Sequence, residues 1–227
     1  MNSSDRLPID TLSGIRLQLP IFDLRELDPR LEGILSPGYS AEELSQHVHD
    51  VFLEHADKFL EFCPIDRESI EYWKGIIRDA LGTYSPRRII DIGSGGGTTV
   101  FPLLELFPGS QVIATDLALP LLAELRNRAR RDGYKGLDVV QMNAEKMIFA
   151  DREADLIIGA NVLHHALSLE NMFQEIRRVL LPGAKAVFWE PFENGAQLLA
   201  CIFDLWDELN PHQPEQIPKE VIWSLRT

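Results

Sequence analysis

The stretch Arg88-Ile89-Ile90-Asp91-Ile92-Gly93-Ser94-Gly95-Gly96-Gly97-Thr98-Thr99 constrains this chain more than any other. A β-branched apolar run ends in a carboxylate, glycine then recurs at every second position, and a helix-compatible segment follows. Arg88 to Ile92 reads as a buried parallel strand. Gly93, Gly95 and Gly97 let the backbone turn and let a ligand approach with no Cβ in the way. A helix opening near Gly97 would aim free N–H groups at that ligand. Strand, glycine loop and helix in this order suit a nucleotide-type cofactor at the first βα turn of a doubly wound sheet. A tight turn without a ligand is the plainer alternative.

Two common cofactor patterns fail here. G-x-G-x-x-G counted from Gly93 reaches Thr98, and a phosphate-binding loop would need a lysine that is absent. The pattern that fits is D-x-G-x-G-x-G, through Asp91, Gly93, Gly95 and Gly97. It resembles motif I of the class I S-adenosylmethionine-dependent methyltransferases. Three further segments follow in the order of that family. Gln111–Asp116 reads as a second strand ending in an acid about twenty residues past the glycines, the spacing of a ribose-binding carboxylate. Leu137–Glu145 carries Asn143-Ala144 where the family has an acid before alanine, and an amide oxygen still accepts a hydrogen bond, without charge assistance. Ala154–His165 resembles motif IV, and Glu175-x-x-Arg178-Val179-Leu180-x-Pro182-Gly183 resembles the turn of the ubiquinone/menaquinone-biosynthesis type.

The resemblance runs from Arg87 to Pro191 and implies an α/β doubly wound, mostly parallel sheet. It implies S-adenosylmethionine as cofactor, held by Asp91, Gly93, Ser94, Gly95, Gly97, Asp116, Leu117, Asn143, Ala144 and Asn161. Plainer roles stay open. Asp116 also suits capping of a helix over Pro120–Arg131, and Asn143 suits a turn.

Charge narrows the partners. The 227 residues carry a net charge of −13, so the average surface repels phosphate. The short Arg126–Arg131 cluster reads as a solvated helix face. The Asn-Pro-Pro-Tyr-like motif of base-methylating relatives is missing, with Gly159-Ala160-Asn161-Val162 in its place. A small-molecule substrate is expected, with no nucleic acid and no membrane. Cys63 and Cys201 make no disulfide framework, and Met1–Asp10 has no apolar targeting core. The reading is a cytoplasmic protein.

Residues 1–84 are expected to form an irregular N-terminus followed by a helical cap, and 85–227 the methyltransferase domain. Met1–Leu35 shows no sustained period and reads as extended or irregular chain with a short helix. Ser40 and Glu43 form a capping box opening one helix, with Leu44, Val48, Val51, Phe52, Phe59 and Leu60 as apolar positions. Asp66 caps another, with Ile70, Trp73, Ile77 and Leu81 on one face and Gly82 at its end. These helices either form a lid that excludes water from the site or merely cover one sheet face. His47, His49 and His55 on the first helix make a poor chelate, so no metal is expected.

Beyond a fifth strand, Ala184–Trp189, the C-terminus reads as an amphipathic helix over 193–209, a breaker cluster at 211–214 and a strand over 221–225. Strands six and seven of the family fold look missing or atypical. The chain is then part of a longer protein, or the sheet is completed unusually. A bare edge at strand five would invite a homo-oligomer.

Methyl transfer is an in-line displacement, so alignment and dehydration are the main tasks. A base is needed only if the acceptor loses a proton. His165, His164 and Glu190 are the catalytic candidates, His165 preferred. The histidines also suit packing at the start of a helix. Non-methyl use of the cofactor, a Rossmann oxidoreductase and a non-catalytic scaffold are the competing readings.

Overall fold

The computed structural model describes residues 9–190 apart from Ser13 and His49. Cys201 and the C-terminal helix, breaker and strand expected past residue 191 lie outside the described residues. Eight strands form one sheet in the order β1-β2-β3-β6-β5-β4-β7-β8. Its centre is β4 (Arg88–Ile92), parallel to β5 (Gln111–Asp116) on one side and to β7 (Ala154–Ala160) on the other. From β4 the chain winds outward through β5 to β6 (Leu137–Gln141). It then returns to lay down β7 and β8 (Leu180–Trp189) on the opposite side. That reversal opens a crevice at the carboxyl ends of β4 and its neighbours. The strands are apolar because both faces are covered: Ile89, Ile90, Ile92, Val112, Ile113, Leu156, Ile157 and Ile158 are fully buried.

Of the extended or irregular chain expected for the N-terminal segment, the extended form is found, organised into three strands. β1 (Ile9–Leu12) and β2 (Ile15–Asp23) form a hairpin that turns at Gly14, and β3 (Ile34–Ser36) pairs antiparallel with β2. β3 then runs parallel to β6, Ile34 opposite Val139 and Leu35 opposite Val140. Ile15 and Ile21 are buried while Arg16, Gln18 and Pro20 face water, a period-two pattern that Pro20 obscures. One residue of the arginine cluster belongs to this junction. Arg126 is buried rather than solvated, and its guanidinium donates to the carbonyls of Arg30 and Glu32. It thereby satisfies loop acceptors that the fold takes out of water.

The capping box forms as expected: Ser40 Oγ accepts from Glu43 N, and Glu43 accepts from Ser40 N. The helix it opens is shorter than expected. α1 (Ala41–His47), α2 (Asp50–Glu54) and α3 (Ala56–Phe62) replace one long helix, with breaks at extended Val48 and non-helical His55. One straight helix over this stretch would be about 33 Å long and could not fold back on itself. The breaks let Val48, Phe52, Ala56, Phe59 and Leu60 pack in one cluster with Ala118 and Leu121.

α4 (Arg67–Leu81) starts at Asp66, whose carboxylate accepts from Ser69 N, and ends at Gly82. It buries Ile70, Ile77 and Leu81, while Trp73 meets Trp189 edge-on at 5.5 Å. α5 (Val100–Leu106) and α6 (Leu119–Arg131) follow β4 and β5. α7 (Leu169–Val179) is capped by Ser168. It stops before the Pro182-Gly183 pair, which instead lies within the span of β8.

Candidate functional site

The glycine loop departs from the expectation in one respect. α5 starts at Val100, not near Gly97, because Gly97 has φ +105, which no helical residue adopts. The loop is held by its own side chains. Asp91 is fully buried and accepts hydrogen bonds from Ser94 Oγ at 2.5 Å and from the Thr99 hydroxyl. Thr99 stands at the N-cap of α5 but gives no side-chain cap. Ser94 Oγ in turn accepts from Thr115 N at 2.9 Å, which ties the loop to β5. Asp91, expected at the cofactor, braces the turn with two of its acceptor positions, and Ser94 acts with it.

Burial pushes the Asp91 carboxyl up to about 7, against the two hydroxyl donors that lower it and with the Asp116 charge adding to the rise. Its folded value lies above its unfolded value, so the folded state holds the extra proton between about pH 4 and 7. Stability from this group is therefore fully present below about pH 4 and falls as pH rises towards 7, by at most about 1.4 kcal/mol per unit. Asp91→Asn is expected to lower stability at acid pH and to flatten this slope. Thermal melts of both proteins from pH 4 to 8 check it: parallel curves would assign the pH dependence elsewhere.

The carboxyl end of β5 supplies the second wall. Asp116 Oδ2 accepts from Gly95 N at 2.8 Å and Oδ1 from Ala118 N at 2.9 Å. Burial raises its carboxyl above the usual range in spite of these donors and of Leu117 N–H. An ionised carboxylate has about four acceptor positions, so one remains for a ligand hydroxyl. A Cβ added to Gly95, at φ +50, would meet only Leu121 Cδ1, at 3.9 Å, so space stands open above the loop. Gly96 is the opposite case: its Cβ position is filled by Leu60 at 2.4 Å and Ile65 at 3.2 Å. α3 and the segment after it therefore lie directly on the glycine loop.

The end of β6 is reached through Asn143. Its side-chain oxygen accepts from Glu145 N at 2.8 Å, and its backbone N–H donates to Tyr39 Oη at 2.9 Å. Ala144 packs on the core beneath. Leu117, Asn143 and Tyr39 help line a pocket of about 250 Å³. A larger groove, about 740 Å³, runs along Arg178, Leu181 and Pro182 at the opposite, amino end of β7 and β8, away from the glycine loop.

At the end of β7, Asn161 adopts φ +55 and its N–H donates to Trp189 O. This left-handed residue turns the chain into a short 3-10 turn, Leu163–His165, rather than the expected α-helix start. Glu190 holds that turn. Its Oε1 accepts from Val162 N at 2.8 Å and Leu163 N at 2.9 Å, and its Oε2 bonds His164 Nδ1 at 2.8 Å. Burial raises the Glu190 carboxyl, but these donors outweigh it and hold the group below its ordinary value. With Nδ1 facing a carboxylate, the proton of a neutral imidazole sits there and Nε2 is left as the acceptor. His165 packs edge-on against Phe52 of α2 at 5.5 Å and lies 4.0 Å, centre to centre, from His164.

The expected residues from the ends of β4, β5, β6 and β7, with Glu190 after β8, thus share one edge of the sheet. Sequence reading missed the Tyr39 contact, the Thr99 brace and the Leu60 and Ile65 contacts with the loop. Thr99 alone had a signal, as a hydroxyl eight residues past a buried acid. Among the described residues no cluster of three or more metal-ligating side chains occurs, and no helix is long and apolar enough to cross a membrane.

Sheet order, glycine loop and the acid at the end of β5 define a class I S-adenosylmethionine-dependent methyltransferase fold. Comparison with known proteins agrees. The family model described as "Methyltransferase domain" matches residues 90–188. The chain is 27% identical to the malonyl-[acyl-carrier protein] O-methyltransferase of Legionella pneumophila over 60% of this chain and 47% of that protein. It is 31% identical to the demethylmenaquinone methyltransferase of Thermus thermophilus over 52% and 53%. It spans about half the length of these curated relatives. A crystal structure from Methanococcus maripaludis, assigned as an S-adenosyl-L-methionine-dependent methyltransferase, shares the fold at 21% identity and a TM-score of 0.57, covering 76% of this chain and 80% of that one. Residues 90–188 thus match a methyltransferase domain, and the fold is that of the class I S-adenosylmethionine-dependent methyltransferases; the acid at the end of β5, the open glycine loop and the pocket beyond them are compatible with that cofactor.

Proposed function

We propose that this chain transfers a methyl group from S-adenosylmethionine to the oxygen or carbon of a small-molecule acceptor. The observation that carries the reading is the Gly95 N–H to Asp116 bond, which makes loop and ribose acid one wall at the topological switch point. The names of the relatives point to an acyl-carrier carboxyl and a quinone ring as acceptor types. The acidic surface disfavours nucleic acid. A cytoplasmic setting is part of the same reading.

The cofactor, when bound, supplies an electrophilic methyl group. Asp116 binds the ribose, while Gly93 to Gly97 accept the chain beside it. α1–α3 act as the lid, because Leu60 and Ile65 rest on Gly96 and Phe52 on His165; closed, they exclude water. His164, oriented by Glu190, takes a proton from the acceptor at Nε2. The geometry favours His164 over His165, since it is the one fixed by a carboxylate.

Titration of the chain with S-adenosylhomocysteine and with NAD, followed by labelled-methyl turnover on a metabolite extract, tests this. Binding of the first ligand with methyl incorporation supports it. Preference for NAD, or tight binding with no transfer, overturns it in favour of an oxidoreductase or a scaffold. Asp116→Ala is expected to weaken S-adenosylhomocysteine binding by about 1.5–3 kcal/mol, the range for a hydrogen bond to a charged group. Asp116→Asn, which keeps one oxygen for Gly95 or Ala118, should bind between the two. Equal affinity in all three would leave Asp116 as a turn residue alone.

A further inference from the structure

The pocket beyond Asp116 is only half built by the methyltransferase core. Leu117 and Asn143 form one side, and Leu19, Pro20, Pro37 and Tyr39 of the N-terminal segment contribute the other. The loop that carries Tyr39 is wired to the strand ends by a buried relay. Ser36 Oγ donates to Gln141 Oε1 at 2.9 Å, Gln141 Nε2 donates to Leu117 O at 3.0 Å, and Gly38 N donates to Ser36 Oγ at 2.9 Å. Pre-organisation of this kind is what a recognition residue needs.

The backbone N–H of Asn143 is taken by Tyr39 Oη and its side-chain oxygen serves Glu145 N, which leaves its amide nitrogen as a donor beside the Tyr39 hydroxyl. Tyr39 accepts in that bond, so its own proton remains to donate; it donates to no described residue, and the Glu43 carboxylate shares the pocket with it. A flat heterocycle entering beside Leu19, Pro20, Pro37 and Leu117 then meets this directed hydroxyl, with Glu43, His47 and Lys146 also lining the pocket.

We propose that Tyr39 reads the nucleobase of the cofactor: held by the Asn143 N–H, its hydroxyl donates to an acceptor nitrogen of the adenine ring, so the N-terminal strands take part in cofactor selection. This rests on S-adenosylmethionine as the cofactor. A base whose corresponding ring nitrogen carries a hydrogen would present donor to donor and be rejected.

The experiment is calorimetric titration of the full chain and of Tyr39→Phe with S-adenosylhomocysteine and with S-inosylhomocysteine. The unaltered chain should prefer the adenosyl ligand by about tenfold or more, since a site built around a hydrogen bond penalises the mismatch. Tyr39→Phe should lose about five- to tenfold for the adenosyl ligand, one neutral hydrogen bond, and little for the inosyl one, so the preference collapses. A purely structural Tyr39 would weaken both ligands equally and keep their ratio, which overturns the proposal while leaving the cofactor assignment intact. Failure of the unaltered chain to bind either ligand overturns both.

Discussion

Gly95→Val is expected to bind S-adenosylhomocysteine at least about 100-fold more weakly than the unaltered chain, a loss of about 2.7 kcal/mol. Two features of the loop make this the most informative of its glycines. The residue sits at φ +50, where a β-branched side chain is strained, at a cost on the order of 1–3 kcal/mol to folding. Its Cβ direction is open, with Leu121 Cδ1 at 3.9 Å as the nearest contact, so the added methyls enter ligand space rather than the core. Gly93 is a poor substitute for this test, because its Cβ would lie 2.4 Å from a Val162 methyl and break packing first. A thermal melt run beside the titration separates the two effects. A folded Gly95→Val protein that binds normally would move the cofactor off this loop.

The parts of the fold legible in the sequence were those whose cause is local. The isoleucines of β4, the acid ending β5 and the Ser40–Glu43 box each announce themselves through period, spacing or capping chemistry. Asp91 was legible as important but its bonds to Ser94 and Thr99 were not, because which hydroxyls an acid meets depends on a turn that only the folded loop reveals. β2 escaped notice through Pro20, and β3 because three residues, Ile34 to Ser36, show no period; its partner β6 lies about a hundred positions away in the chain. Arg126 read as solvent-facing because helix periodicity does not say which face a later-docking N-terminal loop will cover. The single helix expected from the Ser40 cap through Leu60 shared that cause: its breaks serve contacts with Ala118 and Leu121, far off in sequence.

The second large effect is expected at the His164–Glu190 pair. His164→Ala should lower kcat by about 10²–10⁴-fold, the range for removing a general base, with S-adenosylhomocysteine affinity unchanged. Glu190→Gln is the sharper probe. Its amide oxygen can still accept from Val162 N and Leu163 N, so the 3-10 turn is kept. Its amide nitrogen, however, donates to His164 Nδ1, which forces the imidazole proton onto Nε2 and removes the acceptor. The variant should therefore fold, bind cofactor and fall in kcat nearly as far as His164→Ala. The double variant should be little worse than either single one, because the pair acts as a unit. His165→Ala removes a packing partner of Phe52 and should act mainly through KM, by loosening the lid. The pH profile separates base from bystander. If His164 takes the proton, the rise of kcat/KM on the acid side is lost in both His164→Ala and Glu190→Gln and kept in His165→Ala. Falls of under about tenfold in the first two, with the acid limb intact, would remove the base from the mechanism and leave alignment and dehydration to carry the transfer.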